Sequence, residues 1–294
     1  MRFISKISYF WREIKNAKIM KKTGLIILTT IYSVLAIAQT ETQPPAAAPA
    51  PAPAAPPQTD QGQKVRLGLS FSPVISWFNA SGDAGAVESD GTRFNIAFGL
   101  NTDFRIAKNN NYFFSTGIFL LNTGGTINHK YFAQDDNSSD YFLTKRSADF
   151  RINYVNIPLT VLLRTNEIGY MRYFGRVGFD ASFNTSSTFD YRDVDAVSEA
   201  VIESVEDDDA SDFTSLFRFG LRIEGGFEYS IGGTTNLYFS AAYNNGLSNV
   251  FSDDYKRAKL DGAGQLLLSD DGTPQTDKVK AATNLFTITA GVYF

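Results

Sequence analysis

From Val65 onward, apolar and polar residues alternate one by one in long runs. The clearest run is 216–231. Phe217, Phe219, Leu221, Ile223, Phe227, Tyr229 and Ile231 share one face, and Arg218, Arg222, Glu224, Glu228 and Ser230 share the other. A period of two is the signature of a strand with unlike surroundings on its two faces. Further runs fall at 65–77, 93–106, 112–127, 149–164, 170–187 and 236–247, with a last one ending Leu285 to Phe294. The pattern predicts eight strands.

Two of these runs are irregular. In 112–127, Phe113, Phe119 and Leu121 lie on the nominally polar face, and 149–164 changes parity near Tyr154. The parity change predicts a bulge there. Pro158, which has no N–H to give to a ladder, predicts a bulge, kink or unpaired position in the same strand.

The strands run 12 or more residues, longer than the ~5–6 usual in soluble sheets. About ten residues at ~3.4 Å each, tilted by ~40°, cover the ~25 Å apolar band of an outer membrane. The connections also alternate. Segments 107–111, 165–169 and 232–235 are tight turns, whereas 78–92, 128–148, 188–215 and 248–281 are long. These features predict an all-β fold, an eight-stranded antiparallel transmembrane β-barrel with short periplasmic turns and long extracellular loops. A soluble barrel with its apolar face inward also alternates, but strand length and loop asymmetry favour the membrane form.

Upstream, Met20-Lys21-Lys22, the apolar stretch Leu25 to Leu35 and the small-x-small Ala36-Ile37-Ala38 read as a secretory signal cleaved before Gln39. Residues 1–38 are therefore an N-terminal extension plus cleaved signal peptide. Residues 39–63 form a Pro/Ala-rich linker, with seven of the ten prolines between Pro44 and Pro57. Such a run favours polyproline II, and 25 residues could reach roughly 75 Å into the periplasm. Residues 64–294 form the barrel, with both its ends expected in the periplasm.

Composition narrows the chemistry. The chain has no Cys and one His, which excludes disulfides, thiol catalysis and His- or Cys-clustered metal sites. A mean hydropathy of −0.16 does not argue against a membrane barrel, because half of each strand is polar. Removing 1–38 takes away seven Lys/Arg and one Glu; the mature chain then holds 27 − 7 = 20 basic and 31 − 1 = 30 acidic residues, a net charge of −10. That balance argues against nucleic acid as a partner.

Candidate chemistry is sparse. His129 opens a long connection near Ser138, Ser139 and Asp140, a set that could serve a hydrolase only if its geometry were fixed. A solvated loop histidine is the expectation. Ten acidic residues lie between Asp190 and Asp212, densest at Glu206-Asp207-Asp208-Asp209. Without EF-hand spacing this predicts a solvated, mobile loop, ahead of a calcium site or a dock for a basic partner. The inward charges Arg172, Arg176, Asp180, Arg218, Arg222, Glu224 and Glu228 form the most coherent group. They are predicted to neutralise one another across neighbouring strands as a structural lumen network.

Tyr154-Val155-Asn156-Ile157-Pro158-Leu159 resembles the Tyr-x-x-Ile-Pro-Leu stretch of the PorT-like outer-membrane barrels of Bacteroidetes, and Tyr173-Phe174-Gly175-Arg176-Val177-Gly178 is similar to the strand that follows it. Ala290-Gly291-Val292-Tyr293-Phe294 also resembles that family's end. The resemblance implies an eight-stranded barrel without enzymatic activity and a role in type IX protein secretion. The expected reading is a monomeric, non-enzymatic, structural or accessory outer-membrane protein with no cofactor. Its expected partners are outer-membrane lipid, the barrel-assembly machinery reading Gly291, Val292, Tyr293 and Phe294, and envelope or secretion proteins. A small barrel enzyme acting on lipid or peptide, or a narrow diffusion channel, are the alternatives.

Overall fold

The computed structural model describes residues 63–81, 87–134 and 141–294. The signal segment and nearly all of the linker lie outside the described residues. Twelve strands follow one another: β1 (Val65–Ala80), β2 (Val87–Asp90), β3 (Arg93–Arg105), β4 (Tyr112–Gln134), β5 (Tyr141–Arg164), β6 (Met171–Asp195), β7 (Val201–Asp209), β8 (Phe217–Gly232), β9 (Thr235–Gly246), β10 (Lys256–Ala258), β11 (Thr276–Lys278) and β12 (Ala281–Tyr293). Eight close a ring in the order β1-β3-β4-β5-β6-β8-β9-β12, and β12 pairs antiparallel with β1 to complete it. The remaining four are accessory. β2 lies on β4, β7 on β6, and β10 pairs with β11.

Three turns sit at one end of the barrel, together with the start of β1 and the end of β12; the long connections sit at the other. The β8–β9 turn is tight because Gly233 takes φ +61°, a left-handed conformation that a side chain would strain.

Near the turn end, the side chains follow an inside-out rule. On β5, Leu159, Val161 and Leu163 are exposed outward, while Asn156, Thr160 and Arg164 are buried inward. On β8, Phe217, Phe219, Ile223, Tyr229 and Ile231 are exposed, and Arg218, Glu224 and Glu228 are buried. An apolar belt on every ring strand is tenable only against lipid.

Towards the loop end the rule reverses without any change of parity in β5. Even-numbered residues point inward from Thr144 to Arg164, but above Asn156 they become Tyr154, Ile152, Phe150 and Ala148. The odd, outward positions there are Asn153, Arg151, Asp149 and Ser147. The strand has passed from lipid into water, so the apolar face turns inward as in a soluble barrel. β4 reverses at the same level, with Leu120 outward below and Asn122 above. The expected parity change in 149–164 is thus a change of solvent.

A bulge does exist beside it, but on the partner strand. Asn153 pairs with Ser186 and Tyr154 with Asn184, which leaves Thr185 as the extra residue in β6. Inward parity in β6 flips there, from Asp180 and Ser182 to Ser187 and Phe189. Pro158 needs no bulge. Its ladder with β4 is open between the pairs Phe119↔Asn156 and Ser115↔Thr160, where Gly117 stands opposite, and the register is the same on both sides. Pro73 is handled alike in β1, between Phe71↔Ala290 and Val74↔Thr287. There Ser72 Oγ and Thr289 Oγ1 share a 2.8 Å hydrogen bond across the gap.

Much of the expected loop sequence is strand. β4 and β5 continue as a paired ribbon out to Gln134↔Tyr141. The acidic segment is also regular. β6 continues to Asp195 and returns as β7, so Glu206-Asp207-Asp208-Asp209 lies on an exposed strand, and not in an unstructured loop.

Candidate functional site

Three layers of side chains fill the lumen. At the turn end, Arg66 on β1 is buried among four groups. Its guanidinium reaches Asp103 at 2.7 Å and Glu228 at 2.9 and 3.0 Å, and lies over the rings of Phe113 (4.7 Å) and Tyr293 (4.4 Å). Arg164 donates to the same Glu228 at 2.9 Å and to the Asn110 carbonyl at 2.8 and 3.0 Å. Ser115 caps Asp103 from β4. Desolvated charges are costly unless paired and bonded, and here each carboxylate has at least two donors.

The middle layer joins β6 and β8. Arg176 donates to Glu224 at 2.7 Å and to the Tyr293 hydroxyl at 2.6 Å. Arg222 reaches Glu224 at 3.0 Å and Asp180 at 3.4 Å, and Asn244 donates to Asp180 at 2.7 Å. Above these, Arg218 bonds Asn244 and the Thr283 carbonyl, the latter at 2.9 Å. A cavity of about 30 Å³ remains among Asn101, Asn156, Arg176, Asp180 and Thr287. That is room for a few water molecules at most among these polar groups.

The third layer is aromatic. Phe78, Phe150 and Phe189 point in from β1, β5 and β6, and the connection after β9 folds down to meet them with Val250, Phe251, Tyr255 and Val279. Phe150 lies 4.9 Å from Phe251 and 5.1 Å from Phe189, ring centre to ring centre. This loop end is an aromatic core, closed by the chain's own connection between β9 and β12.

Four of the seven expected lumen residues, Arg176, Asp180, Arg222 and Glu224, bond one another; Arg218 joins them through Asn244, and Glu228 lies a layer lower with Arg66 and Arg164. Arg172, opposite Glu228 in the β6–β8 ladder, pairs with Glu167 of the β5–β6 turn at 2.6 Å. The expected two-strand neutralisation is incomplete in another respect. Arg66, Asp103 and Arg164 come from β1, β3 and β5, and their pairing with β8 spans the lumen. Their signal was present as inward charges on strands, but the partners depend on barrel diameter. In the terminal run, Tyr293 is buried in the lumen, Gly291 lies within reach of the Tyr238 ring, and Phe294 is exposed, with its N–H on the Leu67 carbonyl at 2.9 Å.

His129 is not a solvated loop residue. It lies on β4, buried and edge-on to Tyr255 at 5.1 Å. Among the described residues neither ring nitrogen has a hydrogen-bond partner. Burial, with smaller effects from Arg146 and Arg257, brings its pKa down to about 3. Opposite it on β5, Arg146 is sandwiched between Tyr131 (4.7 Å) and Tyr191 (4.5 Å) and bonds Asp193 at 2.8 and 2.6 Å. Burial opposes its charge, but Asp193 holds the guanidinium above its ordinary range. Ser138, Ser139 and Asp140 lie outside the described residues. Among the described residues no three His, Asp or Glu side chains converge to hold a metal ion.

A family model described as an outer membrane protein beta-barrel domain matches residues 57–252. No curated protein matches the chain in sequence. Among solved structures the chain is similar to Neisserial surface protein A, at 9% identity over 79% of this chain and 96% of that one, with a TM-score of 0.37. It is also similar to the outer membrane protein OprG from Pseudomonas aeruginosa (13% identity, 80% and 98% covered, TM-score 0.34). A third is the outer membrane protease OmpT from Escherichia coli (11% identity, 78% and 94% covered, TM-score 0.30). Likeness at these scores carries no argument about function.

Proposed function

The chain belongs to the outer membrane protein beta-barrel domain family, and from that premise we propose that it is a non-enzymatic structural or accessory protein of the outer membrane that acts through its surface. In this reading the turn end, with the start of β1 and the end of β12, faces the periplasm, and the loop end faces outward. The short and long connections support that orientation.

One observation carries the reading: the lumen is full. Paired charges occupy its lower two layers and an aromatic core its upper one, and the packing of an eight-stranded lumen by its own side chains argues against a solute channel. What remains available to partners is the β4–β5 ribbon, the β6–β7 acidic face and the linker. The resemblance to PorT-like barrels supports a more specific version, in which the protein is a component of, or partner for, a type IX-like secretion or surface complex. Crosslinking in intact cells from cysteines introduced at the ribbon or in the linker tests this. A defined envelope partner above background is expected; recovery of abundant neighbours alone would overturn it.

A further inference from the structure

On the outer face of the loop end, β2, β4, β5 and β6 frame a cleft of about 580 Å³. Its walls carry Lys130, Lys145, Arg192, Asn128 and Ser147, with Glu88 at the β2 edge. Lys130 and Lys145 are directly opposite each other in the β4–β5 ladder, and Arg192 is opposite Ser147, one diagonal step from Lys145. Like charges facing each other across a ladder repel. The usual remedy is a carboxylate nearby, and the other loop-end guanidiniums have one: Arg93 pairs with Asp149, Arg146 with Asp193, Arg151 with Asp190 and Arg257 with Asp277. Among the described residues, Lys130, Lys145 and Arg192 have no ion-pair partner. This occurs in a chain with a net charge of −4 and an acidic strand close by.

His129 lines the same cleft from within, with neither ring nitrogen bonded. Three cations without an ion pair among the described residues, the unbonded Asn128 amide oxygen and a hydroxyl thus line one concavity of ligand size, with Glu88 at its edge and the Asn128 amide nitrogen held by Asp90. Its height identifies the occupant. Lys130 lies ten residues beyond Leu120, where the continuous outward apolar run of β4 ends; Phe132, further out, packs on the rings of Tyr131 and Tyr141. At ~3.4 Å per residue and a tilt of ~40°, that is roughly 25 Å above Leu120, and roughly 15 Å beyond the exposed Ile96 and Phe94 that end the apolar face of β3. Headgroup phosphates do not reach so far, but saccharide chains do. We propose that the cleft binds an anionic glycan, a saccharide bearing carboxylate, sulfate or phosphate groups. The cations take its charges, and Asn128 and Ser147 take its hydroxyls.

The placement among outer-leaflet sugars rests on the orientation proposed above; the binding chemistry does not, so a solution measurement tests it separately. Dextran sulfate, polygalacturonate and uncharged dextran are titrated against the detergent-purified protein at 0.15 M salt. Binding of the two charged polymers only is expected. The triple variant K130Q/K145Q/R192Q should weaken it at least tenfold, with unchanged heat-modifiable gel mobility reporting a folded barrel. The matched variant K256Q/K259Q/K280Q, which removes the same charge elsewhere at the loop end, should bind as the parent does. Equal loss in both variants, or none in the first, overturns the proposal. Polyglutamate displacing dextran sulfate as well as polygalacturonate does also overturns it, in favour of an acidic peptide. Nanodiscs with and without lipopolysaccharide then separate the sources. Blocking by lipopolysaccharide supports the membrane's own sugar chains as ligand, and undiminished binding supports a glycan from outside.

Discussion

Arg66 and Glu228 form a two-pronged ion pair, Nη1 to Oε2 at 2.9 Å and Nη2 to Oε1 at 3.0 Å, although 162 residues separate them in sequence. They sit on β1 and β8, which are not neighbours in the ring, so the pair is a strut across the lumen. Removing one partner leaves the other's charge buried without it; removing both leaves Arg164 to the Asn110 carbonyl and Asp103 to Ser115, so part of the cost persists. Glu228→Ala should therefore destabilise the barrel by about 3–5 kcal/mol. The double variant Arg66→Met/Glu228→Met should cost less than the two single changes summed. Urea unfolding in phospholipid vesicles measures both.

The reversal of faces along β5 makes a second test within one strand. Val161→Arg places a charge in the lipid belt and should cost about 2–4 kcal/mol. Ser147→Arg, outward on the same strand but beyond the belt and opposite Arg192, should cost no more than about 1 kcal/mol, from like-charge repulsion alone. Similar costs at the two positions would contradict the change of solvent near Asn153.

His129 gives the loop end a pH dependence of known sign. Folded, its imidazole remains neutral down to pH of about 3; exposed, it takes up a proton near its ordinary value of 6.5. Between those limits the open form binds more protons, so acidification favours release of the connection carrying Tyr255. The loss is about 1.4 kcal/mol per pH unit below 6.5. Hydrogen exchange of residues 250–258 should speed up from pH 7 to pH 4.5, beyond the intrinsic trend. In His129→Phe, which keeps a ring against Tyr255, the extra acceleration should vanish.

The terminal pair divides two roles. Tyr293→Phe removes the hydroxyl that Arg176 uses at 2.6 Å and should cost about 1–3 kcal/mol. Phe294 makes no such bond and points outward. Phe294→Ala should leave unfolding nearly unchanged and slow assembly in cells, followed by pulse-chase of the heat-modifiable form.

Alternation made the ring strands readable, because lipid outside and polar groups inside give a strong period of two. It made Arg176, Asp180, Arg222 and Glu224 readable together, since β6 and β8 are adjacent and both carry inward charges. Arg66 and Arg164 were not readable as their partners, because cross-lumen contacts depend on shear and diameter, which no local pattern encodes. The β4–β5 ribbon was missed for a different reason. Above Tyr154 the apolar residues change faces, and a reader tracking one face sees the signal end. His129 looked like a loop residue because Tyr255, the ring that buries it, arrives from a connection more than a hundred positions later.

Since β1 finds its second neighbour only in β12, the first strand made must wait, half-paired, for the last. No intermediate hairpin can shield its own edges, and a chain halted before Ala281 leaves two open borders facing lipid. Closure of this cylinder therefore rests on the thirteen residues of β12, which alone join β1 to β9.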